Sequence, residues 1–154
     1  IGPCTRQALQ PFEHAEGPAE NPYALQKELQ EMMQDLVGIV RNEGEMPRAL
    51  EGLGRLRERC DRVRAAGNRR FNPEWHAALD LGSLLLVSEA VVRSALERKE
   101  SRGAHYREDY PAKDPEASPF NITVGKERDG SMKVQRSSLE AMRPDLKKII
   151  EENQ

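Results

Sequence analysis

Apolar residues recur at spacings of three and four along three long stretches of this chain, and at a spacing of two along two short ones nearer its C-terminal end. Leu25, Leu29, Met32, Leu36, Ile39 and Val40 make the first series, behind Asn21-Pro22. An asparagine at that point accepts the free N–H groups of a first helical turn. A proline fits the next position because it has no N–H to leave unpaired. The pattern predicts a helix from Asn21 to about Glu43-Gly44. Leu50, Leu53, Leu56, Cys60 and Val63 repeat the spacing behind Pro47, as far as Gly67-Asn68. Asn72-Pro73 then opens the longest predicted helix, running to about Lys99 and roughly 40 Å long at 1.5 Å per residue. One face carries Trp75, Leu79, Leu86, Ala90 and Leu96. Leu81, Leu84, Leu85, Val87, Val91 and Val92 widen it, which predicts burial on more than one side.

The remaining patterns are shorter. Gly103 breaks the third helix, and Pro111, Pro115 and Pro119 keep the following stretch extended. Phe120 to Val124 and Met132 to Gln135 alternate on either side of Asp129-Gly130, which predicts a β-hairpin. Leu139 to Glu151 predicts a terminal helix whose start Pro144 delays. Residues 1–20 hold Gly2, Pro3, Pro11, Gly17 and Pro18 and read as an extended linker with one helical turn around Thr5 to Leu9. The expected fold is therefore mainly α: a three-helix bundle, spectrin-repeat-like, followed by an extended loop, a small β-hairpin and a short C-terminal helix. The expected organisation is a linker over 1–20, a helical bundle with its loop over 21–111, and the extended segment, hairpin and terminal helix over 112–154.

Size and charge narrow the function. A chain of 154 residues holds about one core. Its net charge of -2 and scarce aromatics, 5% of residues, argue against a nucleic-acid partner or direct attraction to an anionic membrane. The arginines from Arg48 to Arg70 are best read as an ion-paired helix face. Cys4 and Cys60 are too few for a disulfide framework, and Cys60 falls on the apolar side of its helix. The longest strongly apolar run, Leu84 to Val87, is far short of a membrane span. A start at Ile-Gly-Pro is what a processed chain or an excised fragment would show.

Candidate chemistry is sparse. His14, His76 and His105 lie at no metal-ligand spacing to one another or to the cysteines, so no metal is expected. No glycine-rich phosphate loop and no nucleophile elbow occurs. Trp75 is expected as a core anchor or a subunit contact. The dense segment Glu100-Ser101-Arg102-Gly103-Ala104-His105-Tyr106-Arg107-Glu108-Asp109-Tyr110-Pro111 has two readings. In one, Gly103 supplies a left-handed turn and Arg102 and His105 satisfy the last helical carbonyls. In the other, Arg102, His105, Arg107 and Tyr110, with Trp75, form a docking surface for another domain or subunit.

Asn72-Pro73-Glu74-Trp75-His76-Ala77-Ala78-Leu79-Asp80-Leu81, the run Leu84 to Ala90, and Ala95 through Glu-Ser-Arg-Gly-Ala-His to Asp109-Tyr110-Pro111 resemble the carboxy-terminal helical region of succinate dehydrogenase and fumarate reductase flavoprotein subunits. Asn21 to Gln30 is similar to that region's first helix, and the tail beyond Pro119 is less so. The resemblance implies a longer subunit that holds FAD in a Rossmann-type domain. It oxidises succinate by hydride loss to the flavin N5 and proton loss to an arginine, then passes electrons to an iron–sulfur subunit. The flavin-binding glycines and substrate residues of that family have no matching position here. The resemblance thus implies no catalytic and no cofactor-binding residue in this chain, and inactivity of the chain alone. It implies two partners, the subunit's own flavin-binding domain and the iron–sulfur subunit. It also implies a cytoplasmic site at the inner face of a membrane, reached only through the complex. L-aspartate oxidase, with a similar helical region, is the sister reading. A stand-alone helical interaction module is the alternative from another class.

Overall fold

The structure, a computed structural model, describes residues 2–13, 18–117 and 119–152. Its helices are α1 (Pro3–Leu9), α2 (Pro22–Val37), α3 (Met46–Cys60), α4 (Pro73–Glu97) and α5 (Pro144–Glu152). Its strands are β1 (Val40–Arg41), β2 (Tyr106–Arg107), β3 (Phe120–Lys126) and β4 (Met132–Ser138). Helices α2, α3 and α4 pack pairwise around one core, so the three-helix bundle of the periodicity is the observed architecture. Both asparagine caps form: Asn21 Oδ1 accepts from the amides of Tyr23 and Ala24, and Asn72 Oδ1 from that of Trp75.

Leu25 and Leu29 from α2, Leu53 and Leu56 from α3, and Leu81, Leu85 and Val92 from α4 are buried together. Each such side chain contributes about 1.5–3 kcal/mol by leaving water. Gly52 sits where α3 crosses α2. A Cβ there would meet the Met32 sulfur, so a larger residue requires that flexible side chain to move aside.

Three sequence boundaries move, each for a tertiary reason. Helix α2 ends at Val37, not at Glu43-Gly44, because Val40 and Arg41 pair in parallel with Tyr106 and Arg107. Ile39 and Val40, expected on the apolar stripe, are accordingly 72% and 51% exposed. Helix α3 ends at Cys60, because the residues after it are taken by the N-terminal segment. The Glu20 amide donates to Arg62 O, the Arg64 amide to Glu20 O, and the Ala65 amide to Pro11 O. The described part of residues 1–20 is also more ordered than an extended linker. Helix α1 passes into a 3-10 turn over Gln10–Phe12, and Trp75 Nε1 donates to Ala8 O at 2.7 Å. His14 lies outside the described residues.

The hairpin pairs β3 with β4 in the register Val124 opposite Val134. It leans on the end of α4 through Phe120, whose ring has the Arg98 and Arg136 guanidiniums 5.1 and 4.8 Å from its centroid. Arg136 also pairs with Glu97 at 2.7 Å. Helix α5 starts at Pro144, as its proline predicts, and buries no residue. Both cysteines are free, Cys4 exposed and Cys60 half-buried, where burial pushes its thiol up.

Candidate docking surface after the long helix

Helix α4 ends at Glu97 with its last carbonyls needing donors, and the chain returns across that end to supply them. The return is a tight turn. Arg102 and His105 exchange backbone hydrogen bonds of 2.8 and 3.0 Å around Gly103-Ala104, and Gly103 takes φ +57°. Nothing lies within 4 Å of a Cβ built on Gly103, so backbone conformation, not space, selects glycine there.

Arg107 then enters the core. It is fully buried: Nη1 donates to Ala95 O at 2.9 Å, while Nε and Nη2 grip both oxygens of Asp109 at 2.7 and 2.6 Å. The fork neutralises a buried cation and caps the helix with one side chain. Asp109 is held down at about 2 by that guanidinium, against the opposing effect of burial. Its Oδ2 also accepts from the Glu43 amide at 3.1 Å, which ties the segment to the α2–α3 connection. The Glu108 amide donates to Arg41 O and reinforces the same seam.

Glu100 is the second centre, and sequence reasoning did not single it out. Its carboxylate is fully buried and accepts from Arg98 Nη1 at 2.6 Å, Arg102 Nε at 3.0 Å and the Asp114 amide at 2.9 Å. The Arg102 hydrogen bonds, aided by the Asp114 amide and Arg98, hold it at about 2 despite burial. The sequence signal was an acid with an arginine two residues away on either side. Ser101 Oγ, from the same segment, accepts from the Arg107 amide at 2.9 Å and donates to Tyr110 O at 2.8 Å.

His105 is half-buried. Arg41 Nη1 approaches its Nδ1 at 2.8 Å, and its Nε2 lies 3.1 Å from Arg98 O. A guanidinium only donates, so Nδ1 accepts and Nε2–H donates, which requires the neutral ring. Burial pushes the imidazole below its ordinary value, and the nearby Arg41, Arg107 and Arg98 add to that. The capping reading therefore needs redistribution. Arg107 satisfies the helical carbonyls and His105 that of Arg98, whereas Arg102 serves Glu100. The ring of Tyr110 lies 4.9 Å from the Arg107 guanidinium and 5.9 Å from the Lys99 ammonium. Trp75 sits at the far end of α4, edge-on to Phe12 at 5.4 Å. The structure thus brings Arg102, His105, Arg107 and Tyr110 together and leaves Trp75 apart.

The matching family is described as fumarate reductase flavoprotein C-term, and its model covers residues 26–149. This chain belongs to that family. Among solved structures it is similar to the Mycobacterium smegmatis Sdh1 complex, with 43% identity and a TM-score of 0.85 over 93% of this chain and 25% of that one. It is 42% identical over 96 residues to the succinate dehydrogenase flavoprotein subunit of Coxiella burnetii, which is 62% of this chain and 16% of that protein. L-aspartate oxidase of Yersinia pestis is 44% identical over a shorter stretch, 84 residues, or 54% of this chain and 15% of that protein. The chain thus spans about a sixth of the curated relatives it matches here. Among the described residues, no helix is long and apolar enough to cross a membrane.

Proposed function

We propose that this chain is the architectural C-terminal domain of a flavoprotein subunit that interconverts succinate and fumarate, with FAD and the reacting residues elsewhere in the longer polypeptide. The similarity to the Sdh1 complex over 93% of the chain, together with that to a succinate dehydrogenase flavoprotein subunit over 62% of it, carries the reading. The reading leaves the flavin to the rest of the polypeptide. A dinucleotide pyrophosphate is held where a parallel strand turns through glycines into a helix N-terminus. Here the parallel pair β1–β2 is two residues per strand, and β2 leads into a loop held by Asp109 and Ser101. No step of the reaction is assigned to these side chains.

Two surfaces support a docking role. Leu79 and Leu86 of α4, 39% and 56% exposed, form a short apolar stripe. The segment after α4 offers Arg102 and Tyr106, partly exposed, with Tyr110 beside them. We assign the stripe to the flavin-binding part of the polypeptide. The Arg102–Tyr110 surface is assigned to the same part or to an iron–sulfur subunit, through which the protein reaches the inner face of a membrane. Within that surface Arg107 and His105 act from behind, fixing the loop that presents the others. The wider match to succinate dehydrogenase favours succinate over L-aspartate as substrate. Dye reduction by the complete gene product, purified with its flavin, tests this: succinate-dependent bleaching is expected, and bleaching with L-aspartate in its place would reject the assignment.

A further inference from the structure

A wide, open groove of about 740 Å³ lies between α4, the first strand of the hairpin and the β1–β2 seam. Arg41, Arg98 and His105 line its polar side, Val87, Val91 and Ile122 its apolar side, and no carboxylate lines it. Two of those basic groups are accounted for. Arg98 is paired with Glu100 at 2.6 Å, a carboxylate it shares with Arg102, and His105 is held neutral by its two hydrogen bonds. Arg41 is not.

Arg41 is half-buried, and every hydrogen bond it makes goes to a neutral acceptor: Nε to Val37 O and Gly38 O at 3.2 and 2.8 Å, Nη1 to His105. Its Nη2 makes no hydrogen bond among the described residues, and no acid pairs with it there. Burial alone pulls its guanidinium below the ordinary arginine range, with no opposing carboxylate. The other arginines of this region, Arg98, Arg102 and Arg107, all have carboxylate partners. The free Nη2 of Arg41 is open to solvent, and a carboxylate is the preferred partner of a guanidinium in the fork geometry.

We propose that this groove is a carboxylate-binding site, with Arg41 the receiving cation, His105 and Arg98 flanking it, and Val87 and Val91 the floor for a short apolar stem. The ligand class is an aliphatic carboxylate, supplied either by an acidic side chain from outside the described residues or by a free small acid. The charged groups facing His105 from the packed elements are Arg41 on β1, Arg98 after α4 and Arg107 on β2. A bound carboxylate changes that all-cationic surround, so His105 reports on occupancy. The proposal stands on this groove and is independent of the substrate assigned above.

The test is NMR titration of the His105 ring in the complete gene product, carbon-13-labelled at histidine and assigned by loss of the resonance in His105→Gln. Butyrate is the probe, and chloride at equal ionic strength is the control. If a free acid is the ligand, His105 titrates below 6.5 without additive, and butyrate raises it by about one pH unit. If a side chain of the longer polypeptide fills the site, His105 already titrates above 6.5, and butyrate does not move it. Arg41→Gln removes either effect. Val91→Asp, at an exposed position, leaves Arg41 in place and raises His105 without butyrate. A His105 that titrates low and ignores butyrate, or responds equally to chloride, overturns the proposal.

Discussion

At the scale of single residues, the molecule spends its polar chemistry on holding one loop. Arg107 is the clearest case. It replaces water for two helical carbonyls and carries its own counter-ion two residues along. Removing one partner of a buried pair costs about 3–5 kcal/mol. Arg107→Ala is expected to lower stability by that order in urea denaturation. Arg107→Lys should recover little of it, because an ammonium cannot span both Asp109 oxygens and the Ala95 carbonyl. A full rescue by lysine would mean that charge alone matters. Phe71 is the opposite kind of residue. It sits at φ +53° with 92% exposure, a backbone cost against which its ring gains a distant contact with the Arg70 guanidinium, 6.0 Å away. Phe71→Gly is expected to be neutral or stabilising by up to about 1 kcal/mol, read as a denaturation midpoint. A loss above that would show that the ring packs on something in solution.

At the scale of elements, the three bundle helices were legible because each has a capping or proline start and one apolar series. Asn21-Pro22 and Asn72-Pro73 were read correctly to the residue. The ends were not legible. Val40 and Arg41 continue an apolar helical series in sequence, yet pair with residues 66 positions away. The docking loop was visible as a density of polar side chains, but not its inward bias. Nothing local shows that Arg107 turns into the core while Arg102 stays partly exposed, since that depends on where α4 leaves its open carbonyls. Glu100 was overlooked for the same reason: its burial is created by Asp114 and by the hairpin that Arg98 holds.

That loop also fixes a pH dependence. Glu100 and Asp109 both lie at about 2 in the fold, below their ordinary 4.5 and 3.8. A depressed carboxylate adds stability that is complete above its unfolded value and is lost as pH falls toward the folded one. Stability is therefore expected to drop between about pH 4.5 and 2. Glu100→Gln should flatten that drop while lowering stability at neutral pH. His105 acts at a higher pH. Its value is lowered from 6.5, so the unfolded chain takes up the proton first, and stability falls as pH drops below about 6.5. Denaturation midpoints at pH 7.5, 5.5 and 3.5, for the parent chain and each variant, separate the two contributions.

At the scale of the whole molecule, a closed core against α4 and a short exposed apolar stripe on its surface describe a brace. The bundle buries Leu25, Leu29, Leu53, Leu56, Leu81 and Leu85, while Leu79 and Leu86 are open to a second surface. Leu86→Asp is expected to change the stability of this chain by less than about 0.5 kcal/mol. In the complete gene product it should reduce retained flavin and succinate-dependent dye reduction together. A variant equal to the parent in both would remove the stripe from the docking interface.

The brace account is tested most directly by flavin content. The 154-residue chain and the complete gene product, each purified after expression under the same conditions, are compared by visible absorbance near the flavin maximum. The complete product is expected to carry FAD and the 154-residue chain none. Stoichiometric flavin on the 154-residue chain alone would contradict the account.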